Sequence, residues 1–155
     1  MVEKKLAIIA TKGSLDWAYP PFILASTAAA LGYEVQIFCT FYGLQLLRKK
    51  MDMKVTSIGN PGMPMPMPMP VLMQALPGMQ SMMTMMMKQK MKSKGVASLE
   101  ELRELCIEAE VKLIACQMTV DLFEFSPDDF LDGIEYGGAA TFFEFAGESD
   151  ICLFI

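Results

Sequence analysis

The sequence predicts an α/β fold: one three-layer α/β/α domain over residues 1–155, built around a mainly parallel sheet of about five strands. Three observations predict it. Short apolar runs of strand length alternate with segments of helical period along the chain. The first run, "KLAIIAT" at Lys5–Thr11, is apolar at successive positions, as in a parallel strand covered on both faces. A length of 155 residues suits one domain and can bury a core of two or three layers.

In chain order, "KLAIIAT" is the first strand, and the polar turn "KGSLD" leads to a helix from about Trp17 to Leu31. Gly32 follows as a natural C-cap. "YEVQIFCT" is the second strand, "GLQLLRKK" a helix and "MKVTSIG" a third strand. Ser98 with Glu101 three residues on forms a capping box that opens a helix to about Ala109. "VKLIAC" is the fourth strand. "SPDDF" starts a short helix through Ser126 and the proline after it. "AATFFEFAG" is the last helix and "DICLFI" the last strand. Strands separated by helical segments imply a parallel sheet with helices on both faces.

Composition narrows the function classes. With 13 basic and 18 acidic residues the formal charge is −5, which argues against a general nucleic-acid binder. No apolar run approaches the length of a membrane span, so membrane contact is not expected, and "MVEKKLAIIATKG" is interrupted too early for a signal peptide. The four cysteines, at 39, 106, 116 and 152, lie far apart with no CxxC. This fits neither a disulfide framework nor a zinc site, so no metal is expected and a reducing cytoplasm is the default. Histidine is absent, which excludes Ser-His and Cys-His nucleophile pairs and most catalytic zinc sites.

Ligands of open α/β sheets sit beyond the carboxyl ends of the strands. Cys116 closes the fourth strand and so stands on that rim, where a helix beginning near Thr119 favours its thiolate. Position alone leaves a buried strand-end cysteine as the other reading. Cys39 ends the second strand on the same rim and is a possible second thiol. Cys106 shares a helical stripe with Leu102, Leu105 and Ala109, which reads as core filling. Cys152, between Ile151 and Leu153, reads the same way.

The segments "FCTFYGLQLLRKK", "IGNPGMPMPMPMP", "LPGMQSMMTMMMKQKMK", "KLIACQMTVDLF" and "YGGAATFFEFAGESDICLFI" together resemble the DsrE/DsrF-like family, in its branch with a Met-Pro-rich insertion. The resemblance covers nearly the whole chain, with the insertion at about 59–95. It implies a sulfur-relay protein: a cysteine accepts sulfane sulfur from thiosulfate, polysulfide or a partner persulfide and passes it to a partner thiol. The carrier falls on Cys116, with Cys106 or Cys39 as a possible second thiol. The resemblance also implies a TusA-type sulfur carrier protein and a small sulfur anion as partners. No cofactor is implied.

A sulfur carrier needs a nucleophilic thiolate and donors that steady a sulfur anion, and it needs no histidine base. By position those donors are the N–H groups after Cys116, the Gln117 amide, the Thr119 hydroxyl, and the loop of Lys12, Gly13 and Ser14 after the first strand. Lys12 offers positive charge, or is a solvated surface lysine. The rival from another class is a non-catalytic binding module that holds a partner or small ligand on the rim and the Met-rich surface. A dinucleotide site is disfavoured, because "TKGSLDWAYP" lacks G-x-G-x-x-G and no acidic residue follows Cys39-Thr40. A flavodoxin-like phosphate loop has too few hydroxyls. A peroxiredoxin requires a threonine-and-proline setting before its thiol, where "EVKLIA" stands.

Of 16 methionines, 12 fall between Met63 and Met91. "MPMPMPMP" cannot enter a helix or an inner strand, since each proline lacks its N–H, and is expected to be extended. "MQSMMTMMMKQKMK" is expected to be helical, with Met79, Met82, Met83 and Met86 on one stripe drifting to Met87 and Met91. Packing over the domain or in a subunit interface, a partner surface, and soft-metal binding are the readings of this tract. A homo-oligomer that buries it is the expectation.

Overall fold

A five-stranded, all-parallel sheet organises the protein, seen in a computed structural model that describes residues 3–56 and 71–155. The strands are β1 (Lys5–Ala10), β2 (Glu34–Cys39), β3 (Lys112–Cys116), β4 (Glu135–Gly137) and β5 (Ile151–Phe154), in the order β4-β3-β2-β1-β5. In register, Ala10 pairs with Cys39, Cys39 with Ala115, and Cys116 with Gly137. The strand ends of β1 to β4 therefore share one rim.

Side-chain alternation along the strands divides the core. Leu6, Ile8, Val35, Ile37, Cys39, Leu113 and Ala115 join the large core under helices α1 (Leu15–Ala30) and α4 (Leu99–Glu108). Phe38, Ile114 and Cys116 point the other way, with Ile9 and Phe142 of α6 (Ala139–Ala146) against them. Helices thus lie on both faces, as the alternating pattern predicts. Burying a side chain such as Phe22, Ile8 or Ile37 completely contributes about 1.5–3 kcal/mol each.

Helix α1 begins at Leu15, two residues before the expected start, and carries Pro20 and Pro21 inside it. Its end is as predicted. Gly32 adopts φ 87, and the Gly32 and Tyr33 N–H groups donate back to the Ala29 and Ala28 carbonyls, a Schellman closure. Both bonds of the Ser98–Glu101 capping box open α4. The α4 stripe differs from expectation: Leu99, Arg103 and Cys106 are buried while Leu105 is exposed. Arg103 causes the rotation, since its guanidinium donates to the Leu46 and Arg48 carbonyls at 3.0 and 2.6 Å.

Two other expectations are corrected. The helix at residues 43–50 is instead a 3-10 helix, Phe41–Leu47, which stops where Arg48 turns extended and bridges Phe130. The third strand does not form over Met53–Thr56, and residues 57–59 lie outside the described residues. Its alternation is real, because Met51, Met53 and Val55 are buried. Helices, however, take its backbone groups. The Lys54 carbonyl accepts from Leu15 N–H, the Val55 N–H donates to Thr84 Oγ1 at 2.9 Å, and the Val55 carbonyl accepts from Gln80. The strand that completes five is β4, in a segment that shows no apolar alternation.

The extended Met-Pro run at 63–70 also lies outside the described residues. Helix α2 (Val71–Gln74) follows it, then α3 (Met79–Ser93). Met83 is buried, and Met79, Met87 and Met91 pack beside it at four-residue spacing. Met82 and Met86, expected on that stripe, are exposed. The i, i+4 row runs inclined to the helix axis, and Thr84, next to Met83, is buried beside it and bonds Val55.

Candidate functional site

Strand β3 delivers Cys116 to the rim, and the chain turns at once into helix α5 (Gln117–Leu122) with Cys116 as its N-cap residue. The helix starts two residues earlier than the sequence suggested. Cys116 is 5% exposed, packed on Phe38 and Ile114. The Cys116 side chain makes no N-cap hydrogen bond.

Two opposing effects act on the acidity of Cys116. Burial raises its pKa, but the Thr40 and Thr119 hydroxyls and the Thr119 and Met118 N–H groups stand where they can donate to a thiolate, and they favour it. The donors prevail, and the thiol lies below its ordinary value. Among the buried cysteines this sets Cys116 apart. Burial pushes Cys39 far up, and it pushes Cys106 up to about 11. Cys106 donates to the Phe22 carbonyl at 3.4 Å, consistent with core filling. Cys152 departs from the core-filling expectation. It is exposed, because β5 is an edge strand, and its thiol faces the Ala146 carbonyl at 3.7 Å.

The Thr40–Thr119 pair holds this arrangement. Thr119 is fully buried, its hydroxyl lies 3.2 Å from that of Thr40, and it accepts from Phe41 N–H at 3.2 Å. Phe41 reaches this geometry at φ 49, in the left-handed region. Gly43 permits the turn, since a Cβ there would lie 2.0 Å from the Ala10 carbonyl oxygen. Thr40 is the residue that sequence reasoning missed. The signal was present in "FCT": Thr40 ends the strand adjacent to β3, but that adjacency follows only from the strand order. Gly137 was also missed. It pairs with Cys116, and a Cβ there would lie 2.7 Å from Thr141 Oγ1.

The remaining predicted residues separate into two groups. Gln117 flanks the thiol, but its amide donates to Asp121 Oδ1 at 2.8 Å. Lys12, Gly13 and Ser14 line a cleft of about 400 Å³ with Trp17, Tyr42 and Gln45. Lys12 Nζ stands 5.6 Å from the Trp17 ring centroid, and Ser14 Oγ lies 3.0 Å from Thr56 Oγ1. Strand β2 separates β1 from β3, so this loop begins about 10 Å from the Cys116 strand. The structure joins Cys116 to Thr40, Thr119 and the first turn of α5. It sets the Lys12 loop one strand further away.

Known proteins share this sequence and fold. A family model described as the DsrE/DsrF/DrsH-like family matches residues 2–154. The chain is 79% identical over 159 residues to the sulfur carrier protein DsrE2 of Allochromatium vinosum, covering all of both chains. It is 35% identical over 155 residues to the uncharacterized protein YrkE of Bacillus subtilis, covering 98% of this chain and 97% of that one. The crystal structure of the ychN protein from E. coli superposes with a TM-score of 0.56 at 12% identity, covering 98% and 99% of the two chains. That last likeness is one of fold.

Proposed function

Because the chain belongs to the DsrE/DsrF/DrsH-like family, we propose that it is a sulfur carrier whose working thiol is Cys116. The observation that carries this reading is the set of donors from Thr40, Thr119 and Met118, which favours a thiolate in a chain without histidine. The Cys116 thiolate attacks the outer sulfur of a persulfide. The donor's S–S bond breaks, a new S–S bond forms on Cys116, and the donor sulfur leaves as thiolate. The proton stays on the terminal sulfur and the exchange is redox-neutral. Reversal toward a second thiol completes the relay.

Thiosulfate, polysulfide and a partner persulfide are the candidate donors, and a TusA-type carrier is the candidate partner. Gln117 lies beside the sulfur and can contribute its amide once the Asp121 bond opens. Lys12, Gly13 and Ser14 belong to an approach cleft in this reading. Self-association is supported by the apolar side chains left on the second face of the sheet, among them Phe143 and Phe154. Among the described residues no helix is long and apolar enough to cross a membrane.

The burial of Cys116 favours a second reading, in which the thiol is packing and the rim only holds a partner. Intact mass after polysulfide treatment separates the two. In a Cys152→Ser background, which removes the exposed thiol, a carrier gains sulfur and Cys116→Ser abolishes the gain. A gain that survives Cys116→Ser and is lost in Cys39→Ser or Cys106→Ser removes the assignment.

A further inference from the structure

All 13 basic residues lie at or before Lys112, and half of the 18 acidic ones lie after it. The chain beyond β3, which builds α5, β4 and α6 around Cys116, is therefore acidic and has no cation of its own; Lys5 of β1 pairs with Glu148, at the far end of that segment. Helix α5 buries Thr119 and Val120 and turns Met118 (60% exposed) and Leu122 (58% exposed) outward, one turn apart. Beside them, Phe123 stacks on Tyr42 at 6.0 Å and meets Phe41 edge-on at 6.2 Å, and all three rings are exposed. Asp121 and Glu124, next in the chain to Leu122 and Phe123, are exposed beside this apolar patch. Two cations of the neighbouring loops lie over rings: Arg48 over Phe125, and Lys12 over Trp17 beyond β2.

We propose that the patch of Phe41, Tyr42, Met118, Leu122 and Phe123 docks a protein face that is apolar at its centre and basic at its margin. On the sulfur-carrier reading, this docked protein brings sulfur to Cys116, or takes it away, as a protein persulfide. Apolar patches rimmed by polar residues mark protein contacts. Complementary charge sets both the partner and the encounter rate. A second copy docked rim to rim would set acid against acid, and a free anion such as thiosulfate meets the same field. No carboxylate is among the groups that shift the Cys116 thiol, so the acids steer from a distance and leave the sulfur reactive.

Two matched peptides test this. Both carry leucine and phenylalanine around a central residue, one flanked by lysines and the other by glutamates. Fluorescence anisotropy measures binding with serine at the centre. Intact mass measures transfer with a cysteine persulfide there. The lysine peptide is expected to bind and transfer about tenfold or more better at low salt. That advantage collapses near 0.5 M NaCl, where the screening length is roughly 4 Å. The double variant Asp121→Lys/Glu124→Lys is expected to reverse the preference, while Glu108→Lys, on α4, leaves it unchanged. Equal binding of the two peptides, or a preference untouched by the double variant, overturns the docking surface even where polysulfide still loads Cys116. Lysine-selective binding with no sulfur transfer from any donor keeps the docking surface and overturns the carrier reading.

Discussion

Thr40 contributes to the acidity of Cys116 although it lies on another strand. Its hydroxyl is one of the two that face the sulfur, and Thr119 is the other. Thr40→Val removes a donor and leaves the burial that raises the pKa. A site-resolved pH profile of iodoacetamide labelling is expected to place Cys116 below the unperturbed thiol value of about 8.5. In Thr40→Val the inflection moves up, and labelling at pH 7 slows several-fold. A wild-type inflection at or above that value removes the electrostatic basis of the site. Exposed Cys152 labels in the same experiment by access alone, so Cys152→Ser is the proper background. Gly43 acts one step further back. A Cβ 2.0 Å from the Ala10 carbonyl forces the Thr40–Phe41 turn off the rim. Gly43→Ala is expected to cost about 1–3 kcal/mol or more in urea denaturation, and to slow Cys116 labelling with it.

Elements differ in how well the sequence announced them. β1, β2 and β3 were legible because a strand covered on both faces is apolar at consecutive positions, and the Ser98 box and Gly32 marked helix ends directly. Residues 53–56 satisfy a period of two without joining a ladder. Burial alone creates that alternation, and the hydrogen bonds go to α1 and α3 instead. β4 has three residues and a glycine, too little for any period. For the site, the strand-end position of Cys116 was readable, whereas its partnership with Thr40 and its distance from Lys12 depend on strand order. Residues 53–56 also give a clean test of what holds α3 in place. Thr84 Oγ1 accepts from Val55 N–H and donates to the Gln80 carbonyl. Thr84→Val leaves a buried N–H unpaired, which costs about 1–3 kcal/mol. Thermal unfolding measures it, and an unchanged midpoint means that this strap does not support the fold.

At the scale of the whole molecule the two faces of the sheet are unequal. One carries α1 and α4 with the α3 methionine row beyond them. Among the described residues the other carries only α6, a helix of eight residues with no fully buried side chain. Phe142 of α6 reaches Phe38 at 5.6 Å, but Phe143 is 68% exposed and Phe154 of the edge strand 75%. The edge is nonetheless fixed: Asp150 accepts from Lys5 N–H at 2.8 Å and Glu148 pairs with the Lys5 ammonium at 2.9 Å. A well-held strand with phenylalanines facing water has the character of a contact between subunits, since burying each such ring contributes about 1.5–3 kcal/mol. Light scattering is expected to show an assembly larger than one chain, and the double variant Phe143→Asp/Phe154→Asp to reduce it to monomers with an unchanged circular dichroism spectrum. Cys116 points to this same face, clustered with Phe38 and Ile114 against Phe142, so loading of the monomeric variant with sulfur from polysulfide reads whether the contact reaches the thiol. A monomeric wild-type protein refutes the contact; a monomeric variant that no longer loads sulfur shows that assembly and the thiol site are coupled.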